Sequence, residues 1–178
     1  MKKGCWPLLT ALCLSLLIPC AASAGPALDR ILQRRELIVG ITGNQPPLNA
    51  TTKEGQIIGL DADLATYMSA AMGVKLSFSP MPFAELLPAL LAGKVDVVIS
   101  GMSMSPDRNL KVAFVGPYFV SGKSMVTREE KAESLSSIAD LAAPNVKIVA
   151  LEGSTSQTLV KTVIPAAQLQ TTTDYDKA

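Results

Sequence analysis

The segment of this sequence best suited to chemistry is residues 93–108, GKVDVVISGMSMSPDR. Its β-branched residues predict a buried strand over residues 95–100. Small and hydroxylic residues follow the strand, and one cation, Arg108, comes after Pro106. An α/β sheet binds small anions where a buried strand opens into such a loop, and an arginine can hold a carboxylate through two parallel N–H···O bonds. The segment therefore predicts a site for a carboxylate ligand, which needs no catalytic nucleophile.

The composition excludes several other kinds of site. The chain contains no histidine, which excludes histidine-based catalysis and histidine metal ligands. Its three cysteines all lie within the first 24 residues, so the rest of the chain can form neither a disulfide nor a reactive thiolate. The net charge is +1, which does not favour nucleic acid as a partner. We expect no metal and no cofactor.

Residues 1–24 have the pattern of a secretory signal peptide. Lys2 and Lys3 precede an apolar run over residues 8–18, which is short for a membrane-spanning helix. The small-residue pattern ASA at residues 22–24 is typical of a cleavage site. The alternative is an N-terminal anchor helix. We expect export across the inner membrane to the periplasm.

Short apolar segments alternate with amphipathic ones along the rest of the chain. The strands predicted from β-branched and alternating patterns cover residues 37–41, 56–59, 76–78, 95–100, 118–127, 146–151 and 169–171, with a brief extended piece at 112–114. The helices predicted from apolar spacing and glycine stops cover residues 62–72, 83–92, 137–141 and 157–163. Asp61 and Asp63 are interpreted as helix-start residues, with Asp61 as the N-cap. This alternation predicts an α/β fold with largely parallel sheets.

A charged, polar run at residues 128–137, REEKAESLSS, marks a boundary between two parts of the chain, unless it is only a solvated loop. Beyond it, the predicted strand at 146–151 ends in a second small polar loop, residues 152–156, before a helix. The order of buried strand, Gly/Ser/Thr loop and helix therefore occurs twice.

The order of these segments resembles the family 3 extracellular solute-binding proteins, the periplasmic receptors of polar amino acid ABC transporters. The matching stretches are residues 37–48, 55–119 and 146–159. The most specific motifs are the strand followed by SGMS and SPDR, and the F-x-x-P-Y segment at residues 114–118. The resemblance implies a periplasmic-binding-protein-like fold, in which hinge strands join two α/β lobes and the ligand is buried between them.

The resemblance also divides the chain. Residues 1–24 are the signal peptide, residues 25–127 form lobe 1 without its C-terminal return segment, and residues 128–178 form the hinge and the first part of lobe 2. In the family, the second lobe continues further and includes an acid that binds the ligand α-amino group. We therefore expect a C-terminally truncated chain whose second lobe is incomplete and has exposed sheet edges.

The family assigns ligand-binding roles by position in the first lobe. Arg108 is expected to grip the ligand α-carboxylate. Ser103 is expected to add hydrogen bonds around that carboxylate, together with the main chain of Ser100 and Gly101. Without the family context, Arg108 is equally compatible with a solvated surface cation and Ser103 with a turn cap.

Two further groups complete the expected site. Thr155 and the amides of Ser154 and Ser156 are expected to close on the carboxylate from the second lobe, at a helix start. Phe83 is expected to pack against the ligand. The simpler alternatives are that Thr155 is only an N-cap and that Phe83 only packs on the core.

Departures from the family concern ligand specificity. Gln45 and Leu48 stand where the family often has aromatic residues, and Thr42 stands where receptors for cationic amino acids tend to carry an acid. No carboxylate is therefore evident to pair with a basic ligand side chain, and we expect the ligand not to be cationic. Gln45, near Thr42 in the chain, is available to hydrogen-bond a polar ligand side chain.

The expected function is capture of an amino acid or similar small carboxylate by a monomer, for delivery to an ABC permease in the inner membrane. The alternative is an enzyme on the same scaffold, since some periplasmic proteins that resemble this family dehydrate cyclic carboxylic acids. That reaction needs a carboxylic acid as general acid, and Glu152 is the candidate near the second loop. A sensor input domain, the third possibility, needs a membrane span that this sequence does not show.

Overall fold

The computed structural model describes residues 25–177, so the predicted signal peptide lies outside the described residues. The strands are β1 (Glu36–Ile41), β2 (Asn44–Gln45), β3 (Asn49–Thr51), β4 (Ile57–Ile58), β5 (Lys75–Pro80), β6 (Val97–Val98), β7 (Lys147–Leu151) and β8 (Gln168–Thr172). The α-helices are α1 (Pro26–Arg34), α2 (Leu60–Met72), α3 (Phe83–Leu91), α4 (Pro106–Asn109), α5 (Glu129–Ala132) and α6 (Thr155–Val163). Two 3₁₀ helices cover Ile138–Ala142 and Tyr175–Lys177. Within residues 25–177, no helix combines the length and apolar character needed to cross a membrane.

The larger sheet is parallel, with β1 at its centre between β5 and β6. β1 is rich in β-branched residues, and its Leu37, Val39 and Ile41 are at most 1% exposed. Ile31 of α1 and Ala65 of α2 join Leu37 and Val39 in one buried cluster, so helices cover the sheet. The carboxyl ends of parallel strands share one edge, and the loops that carry the candidate site leave from that edge.

A small antiparallel sheet of β2, β3 and β4 follows directly after β1. The sequence does not predict β2, because its two polar residues precede two prolines. Gly59 ends this sheet with a φ of +111°, and a Cβ there would lie 2.5 Å from the Leu48 carbonyl oxygen. Only glycine fits that position, since it alone combines a positive φ with the close backbone approach.

The second sheet contains β7 and β8 in parallel, joined by α6. Ala150 and Leu151 of β7 and Val160 of α6 are buried. The predicted order of strand, loop and helix at residues 146–163 is confirmed, although α6 begins two residues earlier than predicted, at Thr155. The mixed α/β fold class is likewise confirmed.

Most other predicted elements are confirmed within a few residues. β1, β5 and α3 agree with the strands predicted at 37–41 and 76–78 and the helix predicted at 83–92. The strand predicted at 95–100 is shorter, because only Val97 and Val98 pair with β1.

The predicted N-cap of α2 is wrong. The helix begins at Leu60, its N-cap is Gly59, and Asp61 lies inside the first turn. Asp61 is fully buried, and its carboxylate accepts hydrogen bonds from Asn49 Nδ2 and Tyr118 Oη, each at 2.7 Å. Tertiary partners therefore hold this carboxylate, as burial of a polar group requires.

The segment between α4 and α5 also differs from expectation. We call residues 110–128 the connecting segment; it contains neither the strand predicted at 118–127 nor the one suggested at 112–114. Its Val115, Val120 and Val126 are 94%, 82% and 98% exposed. A β-branched pattern becomes a strand only beside a partner, and residues 25–177 offer it none.

Candidate functional site

Arg108 lies where the loops of the two sheets meet. It belongs to α4, whose N-cap Ser105 accepts a hydrogen bond from the Arg108 backbone N–H at 3.4 Å. Its Nη1 donates to the Ser103 carbonyl at 2.6 Å, and its Nη2 donates to the Gly153 carbonyl at 2.8 Å. One guanidinium therefore joins the loop after β6 to the loop after β7.

The Arg108 side chain is a buried cation that forms no salt bridge with an acid in the described part of the chain. The residue is 9% exposed, and every salt bridge found within residues 25–177 involves Arg30, Arg34 or Lys75 instead. Burial lowers the pKa of Arg108, yet arginine remains charged at neutral pH. Buried charges are normally paired, and the two carbonyls use only part of the guanidinium's donors. Donors therefore remain for an anion.

Phe83, the first residue of α3, lies beside Arg108. The centre of its ring is 5.6 Å from the guanidinium carbon, within the range of a cation–π contact. The residue is 5% exposed and packs with Leu86 and Leu151. Phe83 therefore packs in the core, and it also lines a cavity.

The cavity beside Phe83 has a volume of about 320 Å³, and small-molecule sites range from roughly 300 to 1,000 Å³. Its lining residues are Thr42, Asn44, Pro80, Met81, Pro82, Phe83, Leu151, Thr173 and Asp174. Asp174 is the one ionisable residue among them, and its Oδ1 accepts from Asn44 Nδ2 at 2.9 Å. The sequence predicts a non-cationic ligand because it shows no carboxylate close to Thr42. The structure places the Asp174 carboxylate in the same cavity as Thr42. Glu152, the candidate general acid of the alternative enzymatic function, is exposed and does not line this cavity.

The loop before α6 contacts the loop between β6 and α4, residues 99–105, which we call the first site loop, through its hydroxyl groups. Ser154 is the N-cap of α6 and accepts from the Gln157 N–H at 3.1 Å, so the capping role falls to Ser154 rather than to Thr155. Thr155 Oγ1 donates to Ser103 Oγ at 3.5 Å. Thr155 therefore faces the Arg108 loop, as the family resemblance implies.

A second cation lies beside these hydroxyls. Lys123 of the connecting segment donates from Nζ to Thr155 Oγ1 at 2.7 Å and to Ser156 Oγ at 3.2 Å. Partial burial, and then the nearby charge of Arg108, lower the pKa of Lys123. Lys123 is not predictable as a site residue, because nothing in its local sequence distinguishes it from a solvated lysine.

A buried hydrogen-bond network engages several of the expected ligand donors. Ser100 Oγ accepts from the Thr42 N–H at 3.0 Å and donates to Thr42 Oγ1 at 3.1 Å, which in turn donates to Asn49 Oδ1 at 2.9 Å. The Asn49 amide and the Tyr118 hydroxyl both donate to the Asp61 carboxylate. The Tyr118 hydroxyl oxygen in turn accepts from the Gly101 N–H at 3.1 Å. The Ser100 hydroxyl and the Gly101 amide are therefore used within the protein.

Burial, and then the hydrogen bond to Asp61, raise the pKa of Tyr118, so the phenol stays protonated. This network links the connecting segment, through Tyr118, to the first site loop, through Gly101. The F-x-x-P-Y motif points to Tyr118, but nothing in the sequence shows its partners, because Asp61 lies far from it along the chain.

The Gln45 side chain contacts Tyr175, near the end of the described residues. Its Nε2 donates to Tyr175 Oη at 2.8 Å, while its Oε1 is buried and has no hydrogen-bond partner among residues 25–177. Burial raises the pKa of Tyr175. Tyr175 also packs on the cluster that contains Phe83 and Leu86.

The structure thus brings Arg108, Ser103, Phe83 and Thr155 together, with Ser154 as a cap beside them. Thr42, Ser100 and Gly101 belong to the adjoining buried network, and Gln45 contacts Tyr175. The residues near the site that sequence reasoning missed are Lys123, Asp174, Tyr175, Asn44, Asn49 and Asp61. Within the described part of the chain, no three His, Cys, Asp or Glu side chains are placed to hold a metal ion.

A mixed α/β fold of this kind is the fold of solute-binding proteins. The sequence profile of the bacterial extracellular solute-binding proteins, family 3, matches residues 37–175. The chain belongs to that family.

Similar proteins include both receptors and an enzyme. The chain is 28% identical over 171 residues to the cyclohexadienyl dehydratase of Pseudomonas aeruginosa, covering 95% of this chain and 64% of the relative. It is 29% identical over 139 residues to the ABC transporter arginine-binding protein 1 of Escherichia coli, covering 78% of this chain and 55% of the relative. The chain therefore spans less than two thirds of the length of either relative.

Solved structures give the same picture of the fold. The ancestral amino acid-binding protein AncCDT-1, described as a precursor of cyclohexadienyl dehydratase, superposes with a TM-score of 0.81 at 36% identity over 85% of this chain and 66% of the other. A mutant of ArgBP from T. maritima superposes with a TM-score of 0.79 at 32% identity over 85% of this chain and 65% of the other. The expectation of a non-cationic ligand finds no support here, since several similar proteins are named for arginine.

Proposed function

We propose that this protein captures an amino acid or similar small carboxylate in the periplasm and delivers it to an ABC permease. The observation that carries the proposal is the Arg108 guanidinium, which is buried, charged and without an acidic partner among residues 25–177. A ligand carboxylate supplies the missing counter-charge, and paired hydrogen bonds from a guanidinium to a carboxylate are strong and directional.

The charges around the cavity favour an amino acid among small carboxylates. Phe83 contacts the Arg108 guanidinium and lines the cavity that contains the Asp174 carboxylate. We place the ligand carboxylate at Arg108, its apolar part on Phe83 and a cationic group toward Asp174. A molecule that carries both charges meets a partner for each, so cationic amino acids belong among the candidate ligands.

Binding and release require the two sheets to separate, because hydrogen bonds between their loops close the Arg108 side of the cleft. Arg108 donates to Gly153, and Thr155 donates to Ser103. A ligand whose carboxylate contacts both Arg108 and the loop before α6 binds the closed arrangement better than the open one and therefore shifts the population toward it, which is how a two-lobed receptor couples capture to a change of shape.

A thermal-shift screen of the purified full chain against the twenty standard L-amino acids tests the proposal. We expect at least one amino acid to raise the Tm, and Arg108→Ala to abolish that shift. Arg128→Ala is the matched control, because Arg128 is exposed and takes no part in the hydrogen bonds that join the loops of the two sheets. Absence of a shift with every amino acid, or an unchanged shift in the Arg108 variant, would overturn the assignment.

Dehydration of a cyclic carboxylic acid is the second candidate function. Two observations favour it: the dehydratase of P. aeruginosa is among the similar proteins, and Asp174 places a carboxyl group in the cavity. A carboxylic acid can protonate a leaving hydroxyl group, provided that it is within hydrogen-bond distance of it. Incubation with prephenate distinguishes the two functions, since turnover that is lost in Asp174→Asn indicates the enzyme and binding of amino acids without turnover indicates the receptor.

A further inference from the structure

We propose that Lys123 is a second carboxylate-binding cation, which holds the same ligand carboxylate as Arg108. This inference rests on the proposed function and adds a residue that the family resemblance does not assign. It concerns the connecting segment, which thereby contributes directly to the ligand site.

A short series of hydrogen bonds links Lys123 to Arg108. Lys123 Nζ donates to Thr155 Oγ1 at 2.7 Å, Thr155 Oγ1 donates to Ser103 Oγ at 3.5 Å, and the Ser103 carbonyl accepts from Arg108 at 2.6 Å. The two cations therefore lie at the ends of one short run of side chains. An anion placed beside Ser103 and Thr155 is within reach of both.

The positive charges of Arg108 and Lys123 have no acidic partner among residues 25–177. No carboxylate within residues 25–177 forms a salt bridge with either cation, whereas Lys75 and Arg34 each have one with Glu36. Partial burial, and then the nearby charge of Arg108, lower the pKa of Lys123, and the second of these causes is the expected effect of two like charges held close together. Hydroxyl groups solvate Lys123 but do not neutralise it. A bound carboxylate removes this repulsion and gains two charge-assisted partners.

Thr155 and Ser156, which Lys123 contacts, lie at the amino end of a helix. They are the first two residues of α6, a nine-residue helix whose amino end carries a partial positive charge. The hydroxyls that Lys123 contacts therefore belong to a helix end that itself favours an anion. Arg108, Lys123 and this helix end come from three different parts of the chain, so the carboxylate that joins them also ties the connecting segment to both sheets.

The test is isothermal titration of the full chain with the amino acid that gives the largest thermal shift, and with the α-carboxamide of the same amino acid. Lys123→Met removes the charge and keeps the length of the side chain, and Lys123→Arg keeps the charge. Lys131→Met, in exposed α5, is the matched control. Titrations at low and high salt report the charge dependence.

We expect Lys123→Met to weaken binding of the amino acid by about ten- to a hundredfold, since one hydrogen bond to a charged group contributes about 1.5–3 kcal/mol. The same variant should prefer the amino acid over its carboxamide by a smaller factor and show a weaker dependence on salt. A loss of structure alone would weaken both compounds equally. Lys123→Arg should retain most of the affinity, and Lys131→Met all of it.

The outcomes separate this inference from the function on which it rests. If the wild type binds no amino acid, the proposed function fails and Lys123 loses its role with it. If the wild type binds, Arg108→Ala abolishes binding and Lys123→Met binds within twofold of the wild type with the same preference over the carboxamide, only the role of Lys123 is wrong.

Discussion

At the scale of single residues, the site depends on charges that have no counter-charge among residues 25–177. The Arg108 side chain is buried against the Phe83 ring and, among those residues, donates only to main-chain carbonyls. Asp174 lines the cavity that Phe83 also lines, and its carboxylate accepts from neutral groups, the Asn44 side-chain amide and the Asp176 N–H. A protein gains nothing in stability from leaving such groups without counter-charges, which is why they indicate a charged ligand.

Asp174→Asn is expected to weaken binding of a cationic amino acid about tenfold and of a neutral one less. The amide keeps the size of the side chain and its contact with Asn44 but removes the negative charge that attracts the ligand cation. Calorimetric titration with L-arginine and L-citrulline, which differ mainly in side-chain charge, measures the difference. Asp176→Asn, at an exposed neighbouring carboxylate, is the control. Equal effects on the two amino acids would contradict a role for Asp174 in recognising charge.

The affinity should also fall as the pH rises, and it should do so below the ordinary pKa of lysine. The pKa of Lys123 is lowered from 10.5 by partial burial and by Arg108, so this ammonium loses its charge earlier than a solvated lysine. The charged form binds the carboxylate; affinity is therefore complete below this lowered pKa and decreases above it. The decrease should be smaller in Lys123→Arg, because arginine stays protonated over the whole range. Identical pH profiles for the wild type and Lys123→Arg would show that another group is responsible.

At the scale of elements, a hydrogen-bond network that joins β3, α2 and the connecting segment holds the first site loop. Tyr118 of the connecting segment binds both Asp61 in α2 and the Gly101 amide. The network fixes the loop that precedes Arg108, and it does so from the segment that leads to the second sheet.

Tyr118→Phe is expected to lower the free energy of unfolding by about 1–3 kcal/mol, because it leaves the buried Asp61 oxygen and the Gly101 N–H without their shared partner. We expect ligand affinity to fall as well, since the Gly101 loop loses its anchor. Urea unfolding and titration of the same preparations measure the two effects. Tyr67→Phe, at a tyrosine that is 75% exposed, should change neither quantity. A Tyr118 variant as stable as the wild type would mean that the network does not hold the loop.

The same scale shows how far the sequence predicts the structure. The β-branched run at residues 37–41 and the glycine stop at Gly73 report local preferences, and both are confirmed. The pattern at 118–127 is equally β-like, but a strand needs a neighbour that this part of the chain does not provide.

Site residues divide in the same way. Arg108 is predictable because its loop carries the motif, and the structure brings it to Ser103 and the loop before α6. Lys123, Asp61 and Asp174 are not predictable, since their partners lie far away in sequence. Asp174, for example, binds Asn44 across 130 residues of chain. Only the packing of the fold identifies such pairs.

At the scale of the whole molecule, two parallel sheets meet through their loops and through one small apolar cluster. The polar contacts include Arg108 with Gly153, Thr155 with Ser103, Asn44 with Asp174 and Gln45 with Tyr175. The apolar cluster packs Leu151 and Tyr175 against Phe83 and Leu86. The polar contacts exchange readily for those of a ligand or of water, whereas the apolar cluster resists opening.

The central claim is that Arg108 binds the carboxylate of a small ligand, and a crystal structure of the full protein grown with the best-binding amino acid tests it most directly. We predict the ligand carboxylate within about 3 Å of the Arg108 guanidinium nitrogens, a normal hydrogen-bond distance. The Phe83 ring should lie against the ligand. A ligand bound elsewhere, with Arg108 still donating only to the Ser103 and Gly153 carbonyls, would contradict the account.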